Sequence, residues 1–116
     1  MSDIFPLTDH PSLLRAFANP AGIGDNTIIA AAQNPNRKIK VLSGIIVNNA
    51  ATAQTVFWKS GANTIGPNIL LPASVFGFVP LPYNEAGWLL TNAGEALILN
   101  LSAATAVGVT VNYVII

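Results

Sequence analysis

The side chains that could act in acid–base catalysis or bind a metal are few and scattered along the chain. His10 is the single histidine, and there is no cysteine among the 116 residues. One chain therefore holds neither a thiolate site nor a metal cluster built on several histidines. Asp9 precedes His10, but neighbours in sequence rarely point at one another, and no serine motif accompanies them. We interpret His10 as a partly exposed side chain in a proline-containing segment.

The two glutamates, Glu85 and Glu95, are the other candidates for acid–base work. Glycoside hydrolysis would need two carboxyl groups about 5–10 Å apart in a cleft. Both glutamates fall in turn-like segments that flank the strand predicted around Trp88, so we expect them at opposite ends of it. We predict no catalytic, cofactor-binding or metal-binding residue, and a protein that is not an enzyme and needs no cofactor.

The aromatic residues allow two interpretations. Phe57 and Trp58 are consecutive, so on a strand they face opposite ways and one of them lies outside the core. An exposed aromatic platform around Trp58 or Trp88 would suit glycan binding. Burial in the core together with oligomer contacts is the more common use of such residues.

Composition predicts one domain with too few charges to cover its surface. Hydrophobic residues make up 52% and charged residues only 9%, against about 25% charged in a typical soluble domain. Five basic and five acidic residues cancel, so nothing in the charge favours a nucleic acid or an anionic membrane as partner. A monomer with few charges and no net charge tends to associate. We therefore expect a defined oligomer that buries the surplus apolar surface.

Neither end of the chain is predicted to enter a membrane. The N-terminus has no basic region followed by an apolar stretch, so we do not expect a signal peptide. Residues 96–116 are uncharged and about long enough to span a bilayer. Polar residues interrupt this run, and it alternates with a period of two, which favours a strand over a membrane helix.

Alternation of apolar and polar residues dominates from residue 37 onward and predicts an all-β protein. Three groups are each predicted to share one strand face: Ile39, Val41, Ile45 and Val47; Leu97, Leu99 and Leu101; and Val107, Val109, Val111, Tyr113 and Ile115. The predicted strands are 27–32, 37–48, 54–60, 68–71, 75–79, 87–91, 95–102 and 107–115. Seven or eight short strands separated by turn residues favour an antiparallel β-sandwich of jelly-roll type.

Residues 1–26 differ from the rest and are predicted to form an extended N-terminal arm, with the sandwich domain at 27–116. The arm holds three prolines and two glycines. It could be a strand or tail laid over its own domain, or it could reach a neighbour. Its six large apolar residues would be unfavourable in water unless something covers them. They are Ile4, Phe5, Leu7, Leu13, Leu14 and Phe17.

Two long stretches resemble small virion proteins of tailed phages, in particular head decoration (cement) proteins. They read "GIGDNTIIAA…RKIKVLSGIIVNNAATAQTVFWKSGANTIG" and "NEAGWLLTNAGEALILNLSAATAVGVTVNYVII". The resemblance spans roughly residues 22–116, and it brings no catalytic residue with it. It implies a structural virion protein, made in the host cytoplasm, whose β-sandwich forms a homotrimer. Such a trimer would bind the major capsid protein on the outer capsid surface and stabilise the shell.

Two surfaces would serve this role. We expect the oligomer interface on outward-facing apolar residues of the strands: Ile46, Phe57, Ile98, Val114 and Ile116. We expect the six apolar residues of the arm to contact the capsid. The alternative function is a receptor- or glycan-binding module of a phage tail fibre. A small metal-dependent jelly-roll enzyme is disfavoured because the chain lacks the histidine and glutamate ligand set.

Overall fold

The alternating segments fold into ten strands in the computed structural model, which describes residues 13–31, 35–73 and 77–116. No helix occurs within these ranges. The strands are β1 (Leu14–Ala18), β2 (Gly24–Ile29), β3 (Ile39–Asn48), β4 (Gln54–Ser60), β5 (Asn63–Thr64), β6 (Ile69–Leu71), β7 (Phe78–Leu81), β8 (Leu89–Leu90), β9 (Leu97–Leu101) and β10 (Val107–Ile115).

The strands form two antiparallel sheets that pack face to face. The first sheet has the order β1-β10-β3-β7, with β8 also paired to β3. The second has the order β2-β9-β4-β5, with β6 also paired to β4. The short strands β7 and β8 share one edge, and β5 and β6 share another, so the sheets together have eight strand positions. This order and connectivity are those of a jelly roll, and the predicted antiparallel sandwich is confirmed.

The inner faces of the two sheets form the core, and the alternation in the last two long strands is confirmed. Three leucines of β9 and three valines of β10 are each at most 2% exposed: Leu97, Leu99, Leu101, Val107, Val109 and Val111. Tyr113 packs against this core from the end of β10. Trp58 of β4 is 2% exposed, whereas its neighbour Phe57 faces outward.

Strand β3 does not keep one alternation along its length. Val41 lies opposite Tyr113 of β10, but Ser43 lies opposite Asn112, so Leu42 is an extra residue. Such a β-bulge exchanges the faces of the residues that follow it. Ile46 is therefore fully buried and Ile45 faces outward, and the prediction that Ile45 and Val47 share the buried face of Ile39 and Val41 was wrong.

The sandwich begins earlier in the chain than the predicted boundary between residues 26 and 27. That boundary falls inside β2, and β1 comes from the segment assigned to the arm. For Leu14–Ala18 the structure shows a strand laid over its own domain, paired along β10. Its inward side chains include Ala16, and alanine gives a weak apolar signal in the sequence. Residues 1–12 lie outside the described residues.

Candidate functional site

The five residues predicted to form an oligomer interface do not share one surface. Ile46 is fully buried in the core, because the bulge in β3 turns it inward, and it is removed from the predicted interface. Phe57 and Ile98 alternate with buried residues of β4 and β9 and lie on the outer face of the second sheet. Val114 and Ile116 lie outside the first sheet, across from Lys40 and Lys38. The predicted set is thus divided between opposite faces of the sandwich.

The six apolar residues of the predicted arm are also separated. Ile4, Phe5 and Leu7 lie outside the described residues. Leu13 is 36% exposed just before β1, and Leu14 lies opposite Tyr113 at the edge of the first sheet. Phe17 points away from the core and is 77% exposed.

Phe17 belongs to an apolar patch on the outer face of the first sheet. Here the apolar patch means Phe17, Ile45, Val47, Phe78 and Pro80. Strand register places these side chains in two adjacent rows: Phe17–Thr110–Ile45–Pro80 and Gly108–Val47–Phe78. Phe78 is 56% exposed. The patch therefore presents two phenylalanines to the surroundings, one from each edge of the sheet.

A groove of about 290 Å³ lies within this face. Its lining includes Phe17, Ile45 and Val47 together with Asn19 and Asn49. Gly108 also lines the groove. Because glycine has no side chain, the surface of the sheet is recessed at this position. The groove therefore has apolar walls and amide groups at one end.

The other half of the same outer face is basic, and we call it the cationic end (Arg15, Arg37, Lys38 and Lys40). The Arg15 guanidinium Nε donates to Asn112 Oδ1 at 2.9 Å, and Arg37 Nη2 donates to the Ile115 carbonyl at 2.8 Å. Lys38 and Lys40 follow on the neighbouring end of the sheet, opposite Ile116 and Val114. Four of the five basic residues of the chain thus lie at one end of one sheet.

The outer face of the second sheet, in contrast, pairs its charges. Lys59 Nζ lies 2.7 Å from Asp25 Oδ2, and Asn100 Nδ2 donates to Asp25 Oδ1 at 2.7 Å. These hydrogen bonds, the one from Lys59 first, lower the pKa of Asp25 below its ordinary value. Phe57 lies opposite Asn100 beside this group.

The predicted aromatic platform is limited to one loop. Trp58 is buried, so it is not available to a ligand. Trp88 is 45% exposed, and its indole Nε1 donates to the Pro82 carbonyl at 2.6 Å. Tyr83 in the same loop is 51% exposed.

The acidic residues found by sequence have structural contacts or lie on loops. Glu95 Oε1 accepts hydrogen bonds from Ser60 Oγ at 2.7 Å and from Asn92 Nδ2 at 3.1 Å. Glu85 lies in the loop between β7 and β8, and His10 lies outside the described residues. Within the described ranges no three histidine, cysteine, aspartate or glutamate side chains gather closely enough to hold a metal ion. In the same part of the chain no helix is long and apolar enough to cross a membrane.

Sequence reasoning did not find the apolar patch. Its residues come from β1, β3 and β7, which are distant in sequence, and the bulge in β3 decides that Ile45 and Val47 belong to it. The one available signal was Phe17, which was already named as an apolar residue in need of cover.

Comparison with known proteins gives little beyond this geometry. No protein-family model matches the chain, and no curated protein matches it. A solved structure described as "Bacillus endospore appendages form a novel family of disulfide-linked pili" is 14% identical, with a TM-score of 0.49, over 90% of this chain and 87% of that chain. A likeness of this degree carries no argument about function.

Proposed function

We propose that the protein is a structural virion protein, a capsid decoration protein that binds the outer capsid surface as a homotrimer and stabilises the shell. The observation that carries this proposal is the exposure of large apolar side chains on the outer faces of both sheets. Phe17 and Phe78 are 77% and 56% exposed on the first, and Leu70 is 66% exposed on the second. Exposed apolar surface of this kind marks sites of protein contact. A jelly roll with both faces available can bind its own copies with one face and another protein with the other.

The trimer is expected to form through the outer face of the second sheet, where Phe57, Ile98 and Leu70 lie. Charges there are already paired between Asp25 and Lys59, so burial of this face would leave no lone charge. The first sheet would then remain free for the capsid, together with the apolar residues of the arm.

The mass of the protein in solution tests the oligomer. We expect about three times the chain mass of 12.1 kDa in sedimentation or light scattering at micromolar concentration. Phe57→Asp should give a folded monomer, because it would place an unpaired charge in the interface. Val114 and Ile116 were predicted in the same interface, but they lie on the first sheet and are left out of the proposed one. Val114→Asp is therefore the matched control and should leave the trimer intact. A monomeric wild-type protein would contradict the proposal, and dissociation by Val114→Asp alone would assign the interface to the first sheet.

The location of the protein in purified particles tests its role. Immunogold labelling of virions should mark the capsid shell, and heating should release DNA at a lower temperature from particles that lack the protein. Labelling confined to the tail would overturn capsid decoration.

A receptor- or glycan-binding module of a tail fibre is the second candidate, and exposed Tyr83 and Trp88 favour it. Aromatic faces of this kind suit sugar rings. Labelling of the tail, together with glycan binding that is lost in Trp88→Ala, would support this candidate.

A further inference from the structure

We propose that the outer face of the first sheet binds an extended segment of the capsid protein that combines a large apolar side chain with carboxylates. The apolar side chain would enter the groove of the apolar patch, and the carboxylates would lie on the cationic end. The inference rests on the proposed function for the identity of the partner. The chemistry of the segment follows from the residues of the sheet itself.

The groove and the cationic end lie on one continuous surface. Rows of outward side chains cross this face at every second residue of β10. The groove spans the rows of Gly108 and Thr110, Arg15 lies in the next row, and Lys40 lies in the row after that. Successive rows are about 7 Å apart along a strand. An extended segment with its apolar side chain in the groove would therefore bring residues about two to five positions away over these cations.

The groove fits one large apolar side chain. Its volume of about 290 Å³ is at the small end of ligand pockets, which favours a single aromatic or long aliphatic group over a whole small molecule. Phe17 and Ile45 form apolar walls, and Asn19 and Asn49 lie in the same lining. The two amides can exchange hydrogen bonds with the main chain of the bound segment. A side-chain pocket beside such polar groups suits an extended peptide.

The two arginines of the cationic end are held in orientations that suit carboxylates. Arg15 Nε donates to Asn112 Oδ1 at 2.9 Å, and Asn112 Nδ2 donates to Ser43 Oγ at 2.8 Å. This chain of hydrogen bonds across the sheet fixes the guanidinium of Arg15. Arg37 Nη2 donates to the Ile115 carbonyl at 2.8 Å. Each bond uses one N–H donor and leaves the others for a carboxylate, which arginine binds in a bidentate manner.

Within the described residues no carboxylate forms an ion pair with the cationic end. In that part of the chain the ion pair is the one between Lys59 and Asp25, on the opposite sheet. Glu95 accepts its hydrogen bonds from Ser60 and Asn92. A partner without carboxylates would bury the cationic end unpaired, which is costly. An acidic segment avoids that cost and supplies the complementary charge.

A second copy of the chain does not offer this complement on the same face. Symmetric contact through the first sheet would bring one cationic end against the other, or each cationic end against an apolar patch. The first arrangement repels, and the second buries charge without a partner. The charge pattern thus favours a different protein here and leaves the second sheet for the trimer.

Peptide binding to the full-length protein tests the chemistry. The probe is a peptide with glutamates at alternate positions on both sides of a tryptophan, so that it can bind in either chain direction. We expect it to shift the amide NMR signals of Arg15, Val47 and Gly108, and to leave those of Thr55 and Asn100 on the second sheet in place. A control peptide with glutamine for glutamate should bind about two- to fivefold more weakly for each charge removed. Added salt should weaken the acidic probe and not the control.

Protein variants test the two halves of the surface separately. Phe17→Ser removes a wall of the groove and should weaken binding of the probe about tenfold. Ile23→Ser is the matched control, because Ile23 is 68% exposed in the loop before β2, and it should bind as wild type does. Arg15→Glu should weaken the acidic probe far more than the glutamine control, a difference that a purely structural change would not produce. All three side chains are exposed, so the variants should fold.

Three results with the peptides would overturn the inference. The first is equal binding of the acidic and glutamine peptides, or no binding of either at millimolar concentration. The second is a set of shifts confined to the second sheet. The third is tighter binding of a short oligothymidylate than of the acidic peptide, which would assign the cationic end to a nucleic acid.

Purified particles that lack the protein separate this inference from the proposed function. Wild-type protein should bind them, and Phe17→Ser and Arg15→Glu should bind less while remaining trimers. Full occupancy by both variants would overturn the inference and leave capsid decoration standing. Wild-type protein that binds the acidic peptide on this face but not the particles would instead overturn capsid decoration and leave the chemistry of the surface standing.

Discussion

Adjacent side chains of β10 should differ strongly in how well they tolerate substitution. Val111 is fully buried between the sheets, and Thr110 lies beside it on the outer face. The two differ in face because successive residues of a strand point to opposite sides. The environment of each therefore follows from its place in the alternation.

Val111→Asp should unfold or severely destabilise the domain. A carboxylate at this position would be buried without a partner, which costs about 3 kcal/mol or more. Thr110→Asp is the matched control and should be much milder, since its side chain lies at the surface of the first sheet. Chemical denaturation of both variants measures the difference, and a Val111→Asp protein with wild-type stability would invalidate the placement of this strand.

Asp25 should make the free energy of unfolding decrease as the solution becomes strongly acidic. Hydrogen bonds from Lys59 and Asn100 lower its pKa in the folded protein below the ordinary value of 3.8. The ionised Asp25 side chain therefore stabilises the fold at pH values above its ordinary pKa. This stabilisation is lost as the pH falls through the lower pKa of the folded state. The effect should be small, because the Asp25 side chain is 44% exposed. The stability advantage of wild type over Asp25→Asn should shrink on acidification, and a constant advantage down to strongly acidic pH would contradict this.

At the scale of elements, strands with regular alternation could be predicted and irregular ones could not. β9 and β10 alternate over their full length, so their buried faces followed from the sequence. The bulge at Leu42 depends on the register in which β3 pairs with β10, and the alternation pattern of one sequence does not predict that register. β1 was assigned to an arm because residues 1–26 hold three prolines and two glycines, and because the inward Ala16 gives only a weak apolar signal. The apolar patch could not be predicted for the same two reasons, since it combines β1 with the part of β3 beyond the bulge.

Gly44 and Gly108 should respond differently to alanine. A Cβ at Gly44 would collide with the Thr110 carbonyl oxygen of β10 and lie 3.1 Å from Val111 Cγ1. We expect Gly44→Ala to lose about 1–3 kcal/mol, as overpacked sites do. At Gly108 the nearest atoms would be 3.4 and 3.5 Å away, so Gly108→Ala should be neutral or gain up to about 1 kcal/mol. Denaturant titration of the pair checks this, and equal stabilities would refute it.

Two truncations should separate the segment 1–12 from β1. Removal of residues 1–12 leaves β1 in place and should change the melting temperature little. Removal of residues 1–20 also takes away β1 and the Pro20 carbonyl that accepts from the Val107 amide at 3.0 Å. That second truncation exposes one side of β10 and should lower the melting temperature markedly. Similar melting temperatures for the two truncated proteins would argue against the pairing of β1 with β10.

At the scale of the whole molecule, charge is distributed unevenly although the net charge is zero. Basic side chains gather at one end of the first sheet, whereas the second sheet pairs its aspartate and lysine. Most of the remaining surface relies on amides, hydroxyls and apolar groups. Such a molecule is best kept in solution by covering its outer faces.

The order of strands within the sheets also has a consequence for biosynthesis. β9 lies between β2 and β4, and β10 lies between β1 and β3, so the last two strands of the sandwich occupy the interior of both sheets. Neither sheet can close until the ribosome has released the residues beyond 97, and Leu14 must wait for Tyr113, its partner 99 positions later. Folding should thus follow synthesis of nearly the whole sandwich, at the slow rates typical of distant strand pairing. During that interval the unfinished chain exposes its apolar strands, and its yield in a cell should depend on chaperones that bind nascent polypeptides.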